Sequence, residues 1–295
     1  MKSSALRPMR QRLEKASPYS IDLEQTIHSG QVFLWQRHQN SWYGVNGLDI
    51  LAVDSNSPEQ VRTFSGSEYD LFRNGDDFEK VRKEISKDEI VRDAVRRFAG
   101  LRLMRQDPFQ CYVSFIVSSN SNIQNIRLTL QKISRKFGRK ITFEKKEFHL
   151  FPEPEKLALA SNSELLSCGL GYRAKFVRSA SLAVKENRID FDELKKAGYD
   201  SAKSALLQID GIGDKVADCI LLFSLEKLEA FPLDRWILRS LEQYYGQRFL
   251  LEGKTLTGKK YRQLHHHLVD YFGKYAGYCQ QYLFKLIRES NNKKW

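Results

Sequence analysis

Cysteine is scarce in this 295-residue chain and widely spread, at positions 111, 168, 219 and 279. No two cysteines stand at Cys-x-x-Cys or metal-ligand spacing, which argues against a local zinc site and against an iron–sulfur cluster, whose irons need closely spaced thiolates. The same usage fits a reducing compartment. With 7 prolines and 17 glycines the chain is far from a collagen-like or low-complexity composition. Nowhere does an apolar run approach the ~18 residues of a membrane-spanning helix, and the opening MKSSALRPMRQRLEK has no apolar stretch of the kind a secretory signal carries. An intracellular protein with no membrane partner is expected. What is present is the composition of a folded protein, 41% hydrophobic and 28% charged, on a chain long enough for one large or two ordinary cores.

Positive charge is in excess, 48 Lys and Arg against 36 Asp and Glu, and it is unevenly placed. Residues 1–100 hold 15 of each sign, whereas residues 101–295 hold 33 basic against 21 acidic. A neutral first third before a basic remainder points toward a polyanion, nucleic acid before acidic lipid. Solubilising surface charge is the alternative.

The periodicity changes near the same place. From about Ser20 to Phe64, QVFLWQRH, SWYGV and DILAVDS alternate apolar with polar around Asn46 and Gly47, the pattern of antiparallel strands. From Asp77 onward helical spacing takes over, in FEKVRKEISK, EIVRDAVRRFAG and one long stretch from Pro108 to Gly138. Residues 138–154 read as a connection with room for a short hairpin, further helices follow, and the end from Ser290 is expected to fray. The predicted fold is α+β: a small antiparallel-sheet domain over residues 1–100 and a mainly helical domain over residues 101–295.

The most informative stretch is LLQIDGIGDKVADCILL, residues 206–222. An apolar helical face ends at Ile209, Gly211 and Gly213 bracket Ile212, and a second apolar helix starts at once with Val216, Ala217, Ile220 and Leu221. Two helices joined by Gly-x-Gly make a tight turn whose amides point outward at a helix N-terminus, where a phosphate binds. Such a turn contacts backbone oxygens and no base edge, so it would anchor DNA without reading its sequence. An ordinary glycine turn between packed helices is the plainer alternative. Lys215 follows on the first turn after the glycines, and Asp234 follows it in EAFPLDRWILRSLEQYYG.

The Gly-x-Gly hairpin, the lysine behind it and the aspartate after a proline turn together resemble the helix-hairpin-helix, Gly/Pro-Asp superfamily of DNA glycosylases. The resemblance implies that the amine attacks the C1′ of a deoxyribose, which it does only when unprotonated, a state that desolvation or nearby positive charge favours. Once bonded there it displaces the base and forms a Schiff base that acidifies the C2′ proton, so glycosylase and lyase steps share one nucleophile. A carboxylate near C1′ stabilises the oxocarbenium-like charge, or positions and deprotonates the amine; the residues alone leave both roles open. Taken singly, Lys215 would pair with Asp218 at i, i+3, and Asp234 would cap the helix after Pro232.

Four further segments narrow the resemblance within that superfamily. HSGQVFLW (28–35), DPFQCYVSFIVSSNSNI (107–123), GLGYRAKF (169–176) and AGYCQQYLF (276–284) resemble its 8-oxoguanine DNA glycosylase branch. The missing clustered cysteines set the chain apart from the endonuclease III and adenine glycosylase branches. The resemblance implies that Lys215 and Asp234 are catalytic, and that Gly211 and Gly213 bind the DNA backbone. It further implies that Gly30 presents its backbone carbonyl to the N7 hydrogen of 8-oxoguanine, which guanine lacks. Phe284 and Cys219 would sandwich the extruded base while Gln280 bonds its Watson–Crick edge. Asn120 would fill the space the base leaves, and Tyr172 and Arg173 would wedge beside its orphaned partner.

Two positions depart from the family pattern. Asn125 stands where an arginine often reads an opposing cytosine, so selectivity for cytosine does not carry over. Trp236 stands where a histidine often contacts a phosphate. The implied protein is a monomeric bifunctional glycosylase and abasic-site lyase. Its partner is damaged double-stranded DNA, in the cytoplasm or nucleoid, or in a nucleus. It needs no organic cofactor and no metal, with a monovalent cation at the hairpin carbonyls admitted by analogy. The alternatives are a glycosylase for another damaged base and a non-catalytic DNA-binding module. His265, His266 and His267 resemble a metal tract, but consecutive helix positions point about 100° apart, and a place on the surface or in a groove is expected instead.

Overall fold

The structure, a computed structural model, describes residues 20–249 and 256–291. After helix α1 (Leu23–Ile27), strands β1 (Trp35–His38), β2 (Ser41–Asn46), β3 (Asp49–Asp54) and β4 (Ser57–Thr63) form an antiparallel sheet in sequential order. Helices α2 (Phe78–Ile85), α3 (Glu89–Arg97), α4 (Pro108–Val117) and α5 (Ile123–Phe137) lead to a hairpin of β5 (Lys140–Phe143) and β6 (Lys146–His149). The rest is helical: α6 (Pro154–Leu159), α7 (Asn162–Ser167), α8 (Ala174–Lys185), α9 (Phe191–Lys196), α10 (Tyr199–Leu207), α11 (Asp214–Ser224), α12 (Arg235–Tyr245), α13 (Gly258–Phe272) and α14 (Ala276–Ser290). An antiparallel four-stranded sheet followed by a mostly helical part is the architecture expected.

The central strand is buried on both faces. Leu51 and Val53 of β3 join Ile27, Trp42 and Phe72 on one side, while Ile50 and Ala52 meet Ile141, Phe148 and Leu150 on the other. The β5–β6 hairpin thus covers the sheet, which is why ILAV is continuously apolar rather than alternating. Within QVFLW, strand geometry begins only at Trp35. The stretch expected to be one helix from Pro108 to Gly138 is two. Asn120 adopts φ 49° in the break, Ser118 Oγ donates back to the Phe115 carbonyl, and Asn122 caps the second helix. Ser290 ends α14 inside the helix rather than fraying, and residues 292–295 lie outside the described part.

Two helices are buried on nearly every side and therefore central. Every residue from Phe109 to Val117 in α4 and from Val216 to Ser224 in α11 is buried, and the two pack together. Both present one end to the same place, α4 its C-terminus and α11 its N-terminus.

Behind α11 lies a buried polar knot. Asp218 is wholly buried and accepts from Tyr199 (2.6 Å), Tyr261 (2.7 Å) and Lys203 (3.1 Å). Tyr261 and His265 of α13 in turn accept from the backbone amides of Leu233 (3.0 Å) and Phe231 (3.1 Å). Three segments, α10, α13 and residues 231–233, are thereby locked to one carboxylate of α11. His265 is therefore a core residue, contrary to the expectation of a surface or groove position, whereas His266 and His267 are exposed. Among the described residues no group of His, Cys, Asp and Glu is placed to hold a metal ion, and no helix is long and apolar enough to cross a membrane. Tyr261→Phe should lower stability by about 1–3 kcal/mol, the cost of orphaning buried polar groups, measured by denaturant unfolding. An unchanged midpoint would show that the hydroxyl is dispensable.

Candidate active site

Helix α10 ends in a turn that only glycine can make at its first bracket. Gly211 has φ 89°, and a Cβ there would lie 2.4 Å from the Phe176 ring. Gly213 is different. Its backbone is extended, a Cβ would meet nothing within 4 Å, and no side chain caps α11, whose first amides are left open. They border a cleft of about 820 Å³ lined by Ser118–Asn122, Asn125, Lys215 and Asp234.

Lys215 is half-buried on the first turn of α11. Its Nζ donates to Ser118 Oγ at 3.2 Å and sits 5.3 Å from the centre of the Phe115 ring. The alternative pairing with Asp218 is not made, because that carboxylate is held by Tyr199, Tyr261 and Lys203. Asp234 caps α12, with Oδ1 accepting from the amides of Trp236 (2.9 Å) and Ile237 (2.8 Å). Desolvation raises its pKa above the usual aspartate range, against the pull of the Lys215 charge, those two amides and Arg288. A carboxylate so held can stabilise positive charge without reorganising.

The expected base pocket is one cavity. Gly30, Cys219, Gln280 and Phe284 line it together with Lys215, Asp234, Phe115 and Pro232. Its volume is about 40 Å³, room for a few waters. Burial pushes the Cys219 thiol up to about 12, so it presents a neutral sulfur and does not compete as a nucleophile. Gln280 Nε2 donates to the Pro232 carbonyl at 3.3 Å, while its Oε1 is buried without a partner. An orphaned acceptor in a cavity is costly unless a ligand supplies the donor.

Asn120, Tyr172 and Arg173 also come together. Asn120 Nδ2 donates to the Tyr172 hydroxyl at 3.2 Å, and Tyr172 is 53% exposed beside the cleft. Arg173 is less free than a wedge would be. It donates to the carbonyls of Ser119 (2.7 Å), Asn120 (3.0 Å) and Leu170 (3.3 Å), bracing the loop that carries Asn120. Asn125 is exposed on the first turn of α5 and lines the cleft.

Sequence reasoning missed part of the site. Phe115 and Ser118 lie inside a stretch it quoted, but nothing in their spacing marks them as contacts of Lys215. It also missed a second cavity of about 490 Å³, reaching from Lys215 and Asp234 to Arg235, Trp236, Arg239 and Arg288. There the guanidinium carbons of all three arginines stand 5.2–5.9 Å from the Trp236 ring. The i, i+4 spacing of Arg235 and Arg239 was the available signal.

The chain is similar to known proteins along most of its length. A family model described as 8-oxoguanine DNA glycosylase, N-terminal domain, matches residues 15–112, and one described as HhH-GPD superfamily base excision DNA repair protein matches residues 113–255. A probable N-glycosylase/DNA lyase of Methanothermobacter thermautotrophicus is 34% identical over 212 residues, 65% of this chain and 64% of the relative. The match thus spans somewhat under two thirds of that relative's length. The solved structure of MBOgg1 with a low-affinity DNA ligand superposes with a TM-score of 0.82 at 30% identity, covering 92% of this chain and 93% of its own. The 8-oxoguanine glycosylase/lyase of Clostridium acetobutylicum, solved with double-stranded DNA carrying cytosine opposite 8-oxoG, gives 0.82 at 28% identity with the same coverage.

Because both cap bonds fall on Oδ1, Asp234→Asn should keep the cap and remove the buried charge. A carboxyl whose pKa is raised by folding contributes stability at low pH that is lost as pH rises through the raised value. Thermal unfolding should therefore show the Asn variant gaining on the wild type as pH rises past the ordinary aspartate range. A variant less stable than wild type at pH 7, by a margin independent of pH, would contradict this account.

Proposed function

Because the chain belongs to the 8-oxoguanine DNA glycosylase family of the HhH-GPD base-excision-repair superfamily, we propose that it excises 8-oxoguanine from duplex DNA and then cleaves the abasic strand. The observation that carries this reading is the single cavity holding an amine, a carboxylate, a glycine, a neutral sulfur, an aromatic ring and an orphaned amide oxygen. Mere phosphate binding would need only the hairpin.

The open amides at Gly213 and the start of α11 receive backbone phosphates of a duplex bent at the lesion. The flipped base displaces Phe284 to enter a cavity otherwise too small for it, and stacks between that ring and Cys219. The unpaired Oε1 of Gln280 accepts from the Watson–Crick edge of the purine, which carries donors at N1 and N2. The Gly30 carbonyl accepts the N7 hydrogen that 8-oxoguanine has and guanine lacks.

Catalysis follows from the neighbours of C1′. Once its ammonium proton is lost to water, the Lys215 amine attacks C1′ as the bond to the base lengthens, and Asp234 stabilises the positive charge growing on the sugar. The base leaves with the bonding pair and takes up one of the two protons on Nζ. Transfer of the other to the ring oxygen opens the sugar and gives an imine between Nζ and C1′. Loss of a C2′ proton to a base then expels the 3′ phosphate, and water releases the aldehyde from the lysine. No organic cofactor or metal enters these steps; a monovalent cation would lie at the hairpin's backbone carbonyls. With Asn125 in place of an arginine, a cytosine opposite the lesion meets only a neutral amide, and little selectivity for it follows. The protein works as a monomer on DNA inside the cell.

Borohydride reduction of a reaction on an 8-oxoguanine duplex should trap the wild-type chain as a covalent adduct. Lys215→Gln should bind the duplex without being trapped, and persistent trapping would move the nucleophile elsewhere. Phe284→Ala should lose about 1–3 kcal/mol of base stacking, measured as affinity for a duplex with an uncleavable lesion. Equal affinity would remove Phe284 from the base sandwich.

A further inference from the structure

Gly30 is a poor choice for holding a carbonyl still. It sits at φ 80° with no Cβ, so its flanking peptides can turn over at little steric cost. A flip of the Gly30–Gln31 peptide would present the Gln31 amide where the Gly30 oxygen had been. That donor would welcome the N7 lone pair of guanine and repel the N7 hydrogen of 8-oxoguanine, inverting the preference.

The surroundings remove this freedom. Of the four consecutive carbonyls at residues 28–31, three accept from side chains distant in sequence. Lys285 Nζ donates to His28 O (2.8 Å), Gln281 Nε2 to Ser29 O (2.7 Å) and Gln106 Nε2 to Gln31 O (2.9 Å). All three donors belong to buried residues. The Gln31 side chain is bolted down as well: its Oε1 accepts from the Met104 amide, and its Nε2 donates to Arg102 O, Ser29 Oγ and Thr26 O, all within 3.1 Å. Among the described residues, only the Gly30 carbonyl of the four has no donor, and Gly30 lines the base cavity.

We infer that Gln281 and Lys285 are positioning residues for lesion recognition, which hold the Gly30 carbonyl in the base-facing orientation by clamping the peptides before it. They do so from the helix that carries the base contacts. Gln280 and Phe284 share one face of α14, and Gln281 and Lys285 lie one residue further round, against the loop. One rigid helix thus sets the distance between the stacking ring and the discriminating oxygen. Lys285 is itself steadied by Glu289 at 2.9 Å. The inference rests on the assignment of Gly30 as the group that reads N7.

Gln281→Met and Lys285→Met each delete a donor with little change in volume, and Gln106→Met frees the Gln31–Val32 peptide that follows the Gly30 carbonyl. Three single-turnover activities separate the outcomes: release of 8-oxoguanine, release of guanine from the same duplex, and cleavage at a preformed abasic site, which needs Lys215 but no base. Each variant should lower the ratio of 8-oxoguanine to guanine release by about tenfold, the worth of one buried hydrogen bond. Abasic cleavage should stay at the wild-type level. A parallel fall in all three activities would reveal a merely structural role and overturn the clamp, as would a ratio equal to wild type in every variant. A wild-type chain that released guanine as readily as 8-oxoguanine would overturn the reading of the pocket, and the clamp with it.

Discussion

One carboxylate whose two oxygens are bonded differently is the constraint on which the site depends. Asp234 Oδ1 satisfies two of the free amides at the start of α12, and Oδ2 takes no hydrogen bond among the described residues. The cap orients the group, so the second oxygen can face the cavity without swinging onto a backbone donor. Burial makes the charge expensive, and the nearby Lys215 and Arg288 offset part of that cost. Destabilising charge of this kind is kept where chemistry needs it.

The same logic extends outward. The segment that delivers Asp234 is fastened by Tyr261 and His265 to a wholly buried Asp218, one turn along α11 from Lys215. Lys215 and Asp234 come from different helices, yet both refer to one polar knot, which limits how far they can drift apart. A fully satisfied buried network is rigid, and a preorganised pair needs rigidity more than it needs strong bonds. The contrast with Gln280 is instructive: its orphaned oxygen stands where rigidity ends and the ligand must complete the bonding.

On the proposed reading, recognition of DNA divides by chemistry. The cleft by the hairpin offers bare amides, suited to phosphate oxygens whatever the sequence. The base cavity offers a single carbonyl, a single amide and two faces for stacking. A neighbouring cavity holds the arginines around Trp236, which place positive charge beside Asp234. The basic excess of the second part of the chain thus has a local as well as a global meaning.

Much of this was legible from residue order. Gly-x-Gly between two apolar helices, a lysine one turn on and an aspartate after a proline are local patterns, and local backbone preference enforces them. Strands β1 to β3 fall in the segments that read as strands and most helices follow from periodicity, but Ile50–Val53 of β3 are all apolar rather than alternating and β4 carried no such signal. The break at Ser118–Asn122 was not legible, because the apolar pattern runs through it and only Asn120 at φ 49° and the Asn122 cap interrupt the helix. Nor was His265 in the core, since a histidine triplet on a helix looks alike on every face until α13 packs. Sequence by itself brought Lys215 and Asp234 forward as candidates, because a Gly-x-Gly turn and a proline turn mark them locally. Only the tertiary structure decided which carbonyl is left free at Gly30, what Lys215 touches and where Asp218 spends its charge. Those outcomes rest on hydrogen bonds between side chains and backbone separated by up to 257 residues, such as Lys285 to His28, and no local preference encodes them.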